Sequence, residues 1–163
     1  MNAAPFAVET LAQLYARPGF LLRRAHQISA AVFEDACAPL ALTQAQYGAM
    51  TVLAAAPGLD QTRLARALAY DKVTVMRVLR GLQARGLVER APVPGNARQL
   101  AVQLSVAGHD LLAQAQAAAQ AAYQRLLQPL VPEQQRQLVQ LLTLLTDGLA
   151  HEARAPFVPL FPA

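Results

Sequence analysis

Apolar residues recur every three to four positions along most of this chain, and every second position only between residues 87 and 104. The first period marks amphipathic helices, the second short strands. Pro18-Gly19 opens a helix in which Leu21, Leu22, Ala25, Ile28, Val32 and Phe33 line one side, and Pro39 ends it. A shorter helix precedes it, around Val8 to Tyr15. Thr43 followed by Gln46 is a capping box for the next helix, which buries Tyr47, Met50, Val52 and Leu53 and stops at Pro57-Gly58. Asp60 then caps a short helix that buries Leu64, Ala65 and Leu68, and Asp71 caps the helix after it. Gly86 suits the left-handed position just past that helix.

"LVERAPV" and "LAVQLS" flank the turn residues Pro94-Gly95-Asn96 and predict a hairpin. Ser105 caps a long helix with Leu111, Leu112, Ala115, Ala118, Ala119, Ala122 and Leu126 on one stripe. Pro129 breaks it, and Pro132 starts a last helix carrying Leu138, Leu141, Leu142, Leu145 and Leu149. The Pro-rich tail "RAPFVPLFPA" predicts no helix. The expected fold is mainly α with one small β-hairpin, a single domain over 1–163. Its central lobe, 43–104, is a winged helix-turn-helix. The terminal helices, 19–38 and 105–150, are more apolar than one thin lobe can cover, which points to dimerisation through them.

Charge sharpens this picture. Of 163 residues, 14 are Lys or Arg and 10 are Asp or Glu, a formal net charge of +4. Residues 60–100 hold Arg63, Arg66, Lys72, Arg77, Arg80, Arg85, Arg90 and Arg98 against Asp60, Asp71 and Glu89, so the excess sits in a quarter of the chain. A concentrated basic field is the footprint of a polyanion partner, and a solvated basic face is the alternative. On the helix that starts at Lys72, the wheel places Asp71, Val75, Val78, Leu79 and Leu82 on one side. Val73, Thr74, Arg77, Arg80 and Ala84 project on the other. A helix of this width fits a DNA major groove, where Arg reads guanine bidentately, the Val73 methyls suit thymine and the Thr74 hydroxyl suits phosphate. Arg98, near the hairpin tip, suits an adjacent minor groove.

The order of "LTQAQYGAMTVL", "PGLDQTRLARALAYDKVTVMRVLRGLQARGLVER" and "LSVAGHDLL" resembles the MarR family of bacterial transcription regulators, from about residue 20 to 147. The resemblance implies a homodimer on a palindromic double-stranded operator, with 72–85 as recognition helix and about 91–101 as wing. It makes Lys72, Val73, Thr74, Arg77, Arg80 and Arg98 the DNA-contacting set. The family wing usually reads Asp-Arg-Arg where this chain has Asn96-Ala97-Arg98, so the bracing acid and one charge are missing. The strings "RPGFLLRRAHQI" and "PGLDQ" are most similar to members controlling aromatic-acid and nicotinate-type catabolism. That implies a repressor released by a small aromatic acid. Phe20 and Tyr47 supply an apolar wall for such a ligand, and Arg23, Arg24 and His26 supply charge and hydrogen bonds, with surface or dimer-salt-bridge roles as the alternative.

Other chemistries find little support. The three histidines, His26, His109 and His151, are scattered, and there is no metal-spaced cluster, phosphate loop or nucleophile motif, so neither enzyme nor cofactor nor metal is expected. Cys37 is the sole cysteine, and Glu34 and Asp35 beside it oppose a reactive thiolate. No apolar run reaches membrane-spanning length and the start lacks a signal peptide, so a cytoplasmic protein is expected. The competing reading from another class is a winged-helix adaptor that binds protein instead of DNA.

Overall fold

The computed structural model describes residues 10–93 and 96–161. The chain runs α1 (Leu11–Tyr15), α2 (Pro18–Ala36), α3 (Gln44–Ala55), β1 (Leu59–Asp60), α4 (Gln61–Ala67), α5 (Lys72–Ala84), β2 (Val88–Val93), β3 (Asn96–Leu104), α6 (Val106–Leu127) and α7 (Pro132–Gly148). Short 3-10 turns follow α2 and α7. The caps expected from sequence are present. Thr43 and Gln46 bond reciprocally at the head of α3. Asp60 Oδ1 accepts from the amides of Thr62 and Arg63, and Asp71 Oδ1 from that of Thr74.

The hairpin is part of a three-stranded antiparallel sheet ordered β1-β3-β2. β1 is only two residues long, too short to leave a periodic signal in the sequence. It pairs Leu59 with Val102 and Asp60 with Ala101. Asp60 therefore closes the sheet with its backbone and caps α4 with its side chain. Along the wing, Val88 pairs with Leu104 and Pro92 with Leu100, and the register then slips so that Val93 meets Asn96. Pro92 has no N–H to give the ladder, which is why such a slip sits there.

One core unites the elements. Phe33 from α2 and Cys37 just past its end, Met50 and Leu53 from α3, and Leu64 from α4 are fully buried with Val75, Leu79 and Leu82 from α5 and Val102 from β3. Ala115, Ala119 and Ala122 bring α6 close against α2. α2 stops at Ala36, and Pro39 lies inside the following 3-10 turn, Ala38–Leu40.

The end of α5 is fixed by a complete left-handed cap. Gly86 has φ +67, its amide donates to Gln83 O, and the Leu87 amide donates to Leu82 O. Ser105 then ties the start of α6 to this point. Its hydroxyl donates to Gly86 O at 2.6 Å and accepts from the Gly108 amide, and its own amide donates to Leu87 O. Gly108 is buried so tightly here that a Cβ would stand 2.1 Å from Leu87 O.

α7 behaves differently. The sequence pattern gives it more apolar surface than one lobe can cover, and none of its residues is buried: Leu141 and Leu144 are 64% and 63% exposed. The apolar stripe is there, and no surface among the described residues covers it.

Gly108→Ala drives a methyl into a backbone carbonyl that has no room to retreat, so we expect a loss of about 1–3 kcal/mol or more in urea unfolding. A variant as stable as the parent would show that α6 does not approach Leu87 this closely.

Candidate nucleic-acid interface

α4 and α5 meet through a short turn that the sequence stabilises locally. The Tyr70 amide donates to Ala65 O, Ala69 adopts a left-handed φ of +52, and Gln61 Nε2 reaches Lys72 O. Val75, Val78, Leu79 and Leu82 turn one side of α5 into the core. The opposite side projects into solvent: Val73 is 70% exposed, and Lys72, Arg77, Arg80 and Ala84 are exposed with it. This is the division expected from the wheel.

The electrostatics of that face are unusually one-sided. The pairs Arg125–Asp35, Arg136–Glu133 and His151–Glu152 lie outside the lobe 43–104. Arg63, Arg66, Lys72, Arg77 and Arg80 form no ion pair and stay exposed. Arg85 is spent structurally. It donates to Ala41 O at 2.7 Å and Leu40 O at 2.9 Å, clamping the turn after α2, where Ala41 is left-handed at φ +49, to the end of α5.

Thr74 differs from expectation. It is half-buried, and its hydroxyl donates to Asp71 Oδ2 at 3.0 Å while its amide donates to Oδ1. A phosphate offers only acceptors, so this hydroxyl proton is already committed to the cap. The two bonds from Thr74 hold the Asp71 carboxyl below its ordinary pKa. The turn residues Pro94 and Gly95 and the side chain of Arg98, with those of Asn96 and Ala97, lie outside what the structure describes.

The expected ligand residues fall into two groups. At the start of α2, Phe20 packs on Tyr15 with ring centroids 5.2 Å apart, and the guanidinium of Arg23 lies 5.1 Å from the Phe20 ring, that of Arg24 6.0 Å. Arg23 also donates to Gln27, and Arg24 and His26 are exposed. Tyr47 sits elsewhere, 5.3 Å from Phe33, thirteen residues or about 20 Å further along α2. One chain therefore does not bring Phe20 and Tyr47 into one wall. Tyr47 belongs instead to an aromatic cluster with Phe33 and Tyr123 between α2, α3 and α6. Sequence reading missed Phe33 and Tyr123 as partners, because nothing local links residues 33, 47 and 123. The Tyr123 phenol is raised by burial and then by the neighbouring Tyr47 and Cys37.

Cys37 is buried and its pKa is raised by that burial, the reverse of what a reactive thiolate needs. The acids beside it in sequence are not the cause, since Asp35 is exposed and paired with Arg125. Among the described residues no group of His, Cys, Asp and Glu is placed to hold a metal, and no helix is long and apolar enough to cross a membrane.

Two helices across a tight turn, a cationic outer helix and an adjoining three-stranded wing define a winged helix-turn-helix DNA-binding protein. Residues 42–99 match the MarR family model. The HTH-type transcriptional repressor Rv2887 of Mycobacterium tuberculosis is 32% identical over 124 residues, 76% of this chain and 89% of that protein. The repressor NicR of Pseudomonas putida is 34% identical over 94 residues, 58% of this chain and 60% of NicR. A solved probable transcriptional regulator from Pseudomonas aeruginosa is 36% identical with a TM-score of 0.77, covering 81% of this chain and 98% of its own. Two further solved relatives carry information on partners. The repressor CouR, bound to a 23-mer DNA duplex, is 27% identical with a TM-score of 0.77 over 86% of this chain and 99% of its own. BpsR of Bordetella bronchiseptica, whose DNA binding is regulated by 6-hydroxynicotinic acid, is 28% identical with a TM-score of 0.77 over 82% and 95%. The chain belongs to the MarR family of DNA-binding transcription regulators.

The Asp71 cap carries a pH signature. A carboxyl whose folded pKa is depressed contributes fully above its unfolded value, and the contribution fades as pH falls through the folded one. The melting-temperature gap between the parent and Asp71→Ala should be widest near neutrality and close as the solution becomes acid. A gap independent of pH would mean that the ionised carboxylate does not cap α5.

Proposed function

We propose that the protein is a dimeric transcriptional repressor that grips a palindromic operator and is released by a small aromatic acid. The observation carrying this reading is the exposed face of α5, where Lys72, Arg77 and Arg80 stand without any acidic partner. Arg77 and Arg80 are the base-reading candidates, Val73 the thymine contact, and Lys72 a phosphate contact near the helix start. Thr74 acts chiefly through the cap. Arg98 remains the candidate for the minor groove, where narrow A/T-rich segments concentrate negative potential. Binding, not catalysis, is the activity assigned, and the cytoplasm, where the operator is, is the compartment.

The dimer is supported by α7, whose apolar stripe nothing among the described residues covers. Dimerisation through 19–38 and 105–150 buries that stripe and presents two copies of α5 to successive turns of one duplex. The ligand reading is supported by the Phe33–Tyr47–Tyr123 cluster, which runs from the buried Phe33 to the exposed Tyr123 and offers aromatic faces and two phenols beside the helices that would form the dimer. The relative BpsR responds to 6-hydroxynicotinic acid, a compound of the same class. Arg23, Arg24 and His26 are the candidates for its carboxylate, reached in the dimer and not within one chain. Release then requires that the ligand favour a dimer whose recognition helices no longer match the half-site spacing.

On a palindromic operator, Arg77→Ala and Arg80→Ala should each lose about 1–3 kcal/mol and relax base preference, while an isolated half-site should bind the parent far more weakly than the palindrome. Parent-like binding by both variants would dismiss α5 as the reading helix. Equal affinity for a half-site would dismiss the dimeric grip, and a parent indifferent to DNA would favour the protein-binding adaptor.

Calorimetry on the free protein should detect 6-hydroxynicotinic or salicylic acid. Tyr47→Ala, Arg24→Ala or His26→Ala should weaken that binding about tenfold, which is near 1.4 kcal/mol. Unchanged affinity in all three would place the effector site elsewhere.

A further inference from the structure

We infer that the C-terminal tail, residues 153–161, is a strap that latches the far end of α7 onto the helix-turn-helix of the same chain. After the 3-10 turn Ala150–Glu152 the chain becomes extended at Ala153, with φ −68 and ψ 130. Pro156 and Pro159 restrict the backbone that follows, so little freedom is left to lose on docking. The Val158 amide donates to Arg66 O at 3.1 Å. That carbonyl lies in the last turn of α4 and also accepts from the Ala69 amide at 3.3 Å, so strap and turn share one acceptor. Leu160 is half-buried and packs against the hydrophobic core. Phe157, Ala69 (the left-handed residue of the turn between α4 and α5), Leu145 of α7 and Leu149 just past its end line one cavity of about 570 Å³.

These contacts link two parts that otherwise barely meet. α7 buries nothing in its own chain. At its start it is held by the connection from α6, where Gln135 Nε2 donates to Leu127 O and Leu130 O. At its other end the strap supplies the tie, and the tie lands on the turn that sets the approach of α5. The strap leaves the reading face clear, since Val73, Arg77 and Arg80 remain exposed. It therefore braces the reading head and does not block it. The brace makes α7 and the α4–α5 turn move as one body. A shift of the α7 helices is then delivered to α5 directly as well as through α6. That consequence for DNA rests on the proposed repressor function, whereas the latch itself does not.

Three variants separate the two: a chain ending at Glu152, Val158→Pro, which removes the donated N–H, and Leu160→Asp, which ejects the anchor. Hydrogen exchange on the free, full-length protein and on each variant reads the latch without DNA. The Leu68, Ala69 and Tyr70 amides should exchange about tenfold faster in all three, while amides in the α2–α6 pairing keep their protection. Turn amides exchanging as in the parent would overturn the strap. If truncation loosens α2–α6 as well, the two point variants decide by the same criterion. In a parallel titration with operator, the point variants should bind several-fold more weakly than the parent with base preference intact. Faster turn exchange with parent affinity would overturn the coupling, and a parent that binds no operator would overturn the repressor reading alone.

Discussion

The function of this lobe hangs on a backbone contact that only glycine permits. At Gly108 the first turn of α6 rests on the carbonyl of Leu87, with no side chain between them. Four elements converge there: the end of α5, closed by the left-handed Gly86; the start of β2; the end of β3; and the head of α6, capped by Ser105. Ser105 uses its hydroxyl both ways, donating to Gly86 and accepting from Gly108. The recognition helix and the wing thus share one rigid base, and that base is the end of the helix that also packs along α2. A strand-to-helix junction of this kind fixes the angle between helix and wing, which is what two neighbouring grooves of a duplex require.

A second set of ties orients the same helix from its sides. Arg85 clamps the carbonyls of Leu40 and Ala41, so the end of α5 follows the turn between α2 and α3. Asp60 joins the sheet and caps α4 in the same step. These polar side chains are employed inward. What remains outward is nearly all cationic, and a face of like charges with no internal partner gains free energy only from an anion outside the chain. Phosphate and guanine edges are such partners.

Much of this was legible in the sequence because it is written locally. The caps at Thr43, Asp60, Asp71 and Ser105, and the stop at Gly86, each depend on residues within a few positions of one another. The stripe Val75–Val78–Leu79–Leu82 follows from helical period alone. What escaped depends on distant residues meeting. The strand Leu59–Asp60 exists only because Val102 and Ala101 arrive beside it. Arg85 counted as one more cation of the basic stretch 60–100, and nothing local shows that it donates to the Ala41 carbonyl forty-four positions away. The wall imagined from Phe20 and Tyr47 divided because Phe20 sits at the start of α2, whereas Tyr47, on α3, packs beside Phe33 near the other end of α2 and so joins Tyr123. Thr74 was read by residue type as a phosphate contact, and its hydroxyl is instead committed to Asp71. For α7 the stripe lies where helical period places it, and among the described residues it stays uncovered, as its excess of apolar positions led one to expect.

The central claim is that an unpaired cationic face, rigidly held, is what meets DNA. The salt dependence of operator affinity tests it most directly. Each phosphate contact releases counterions, so log affinity should fall linearly with log salt, with a slope of about 0.9 per contact. A dimer presenting Arg63, Arg66, Lys72, Arg77 and Arg80 from each chain should give a steep slope, reduced measurably by neutralising Lys72 or Arg63. An affinity that barely changes with salt would contradict the account, because the exposed cations would then be solvated surface and not the grip.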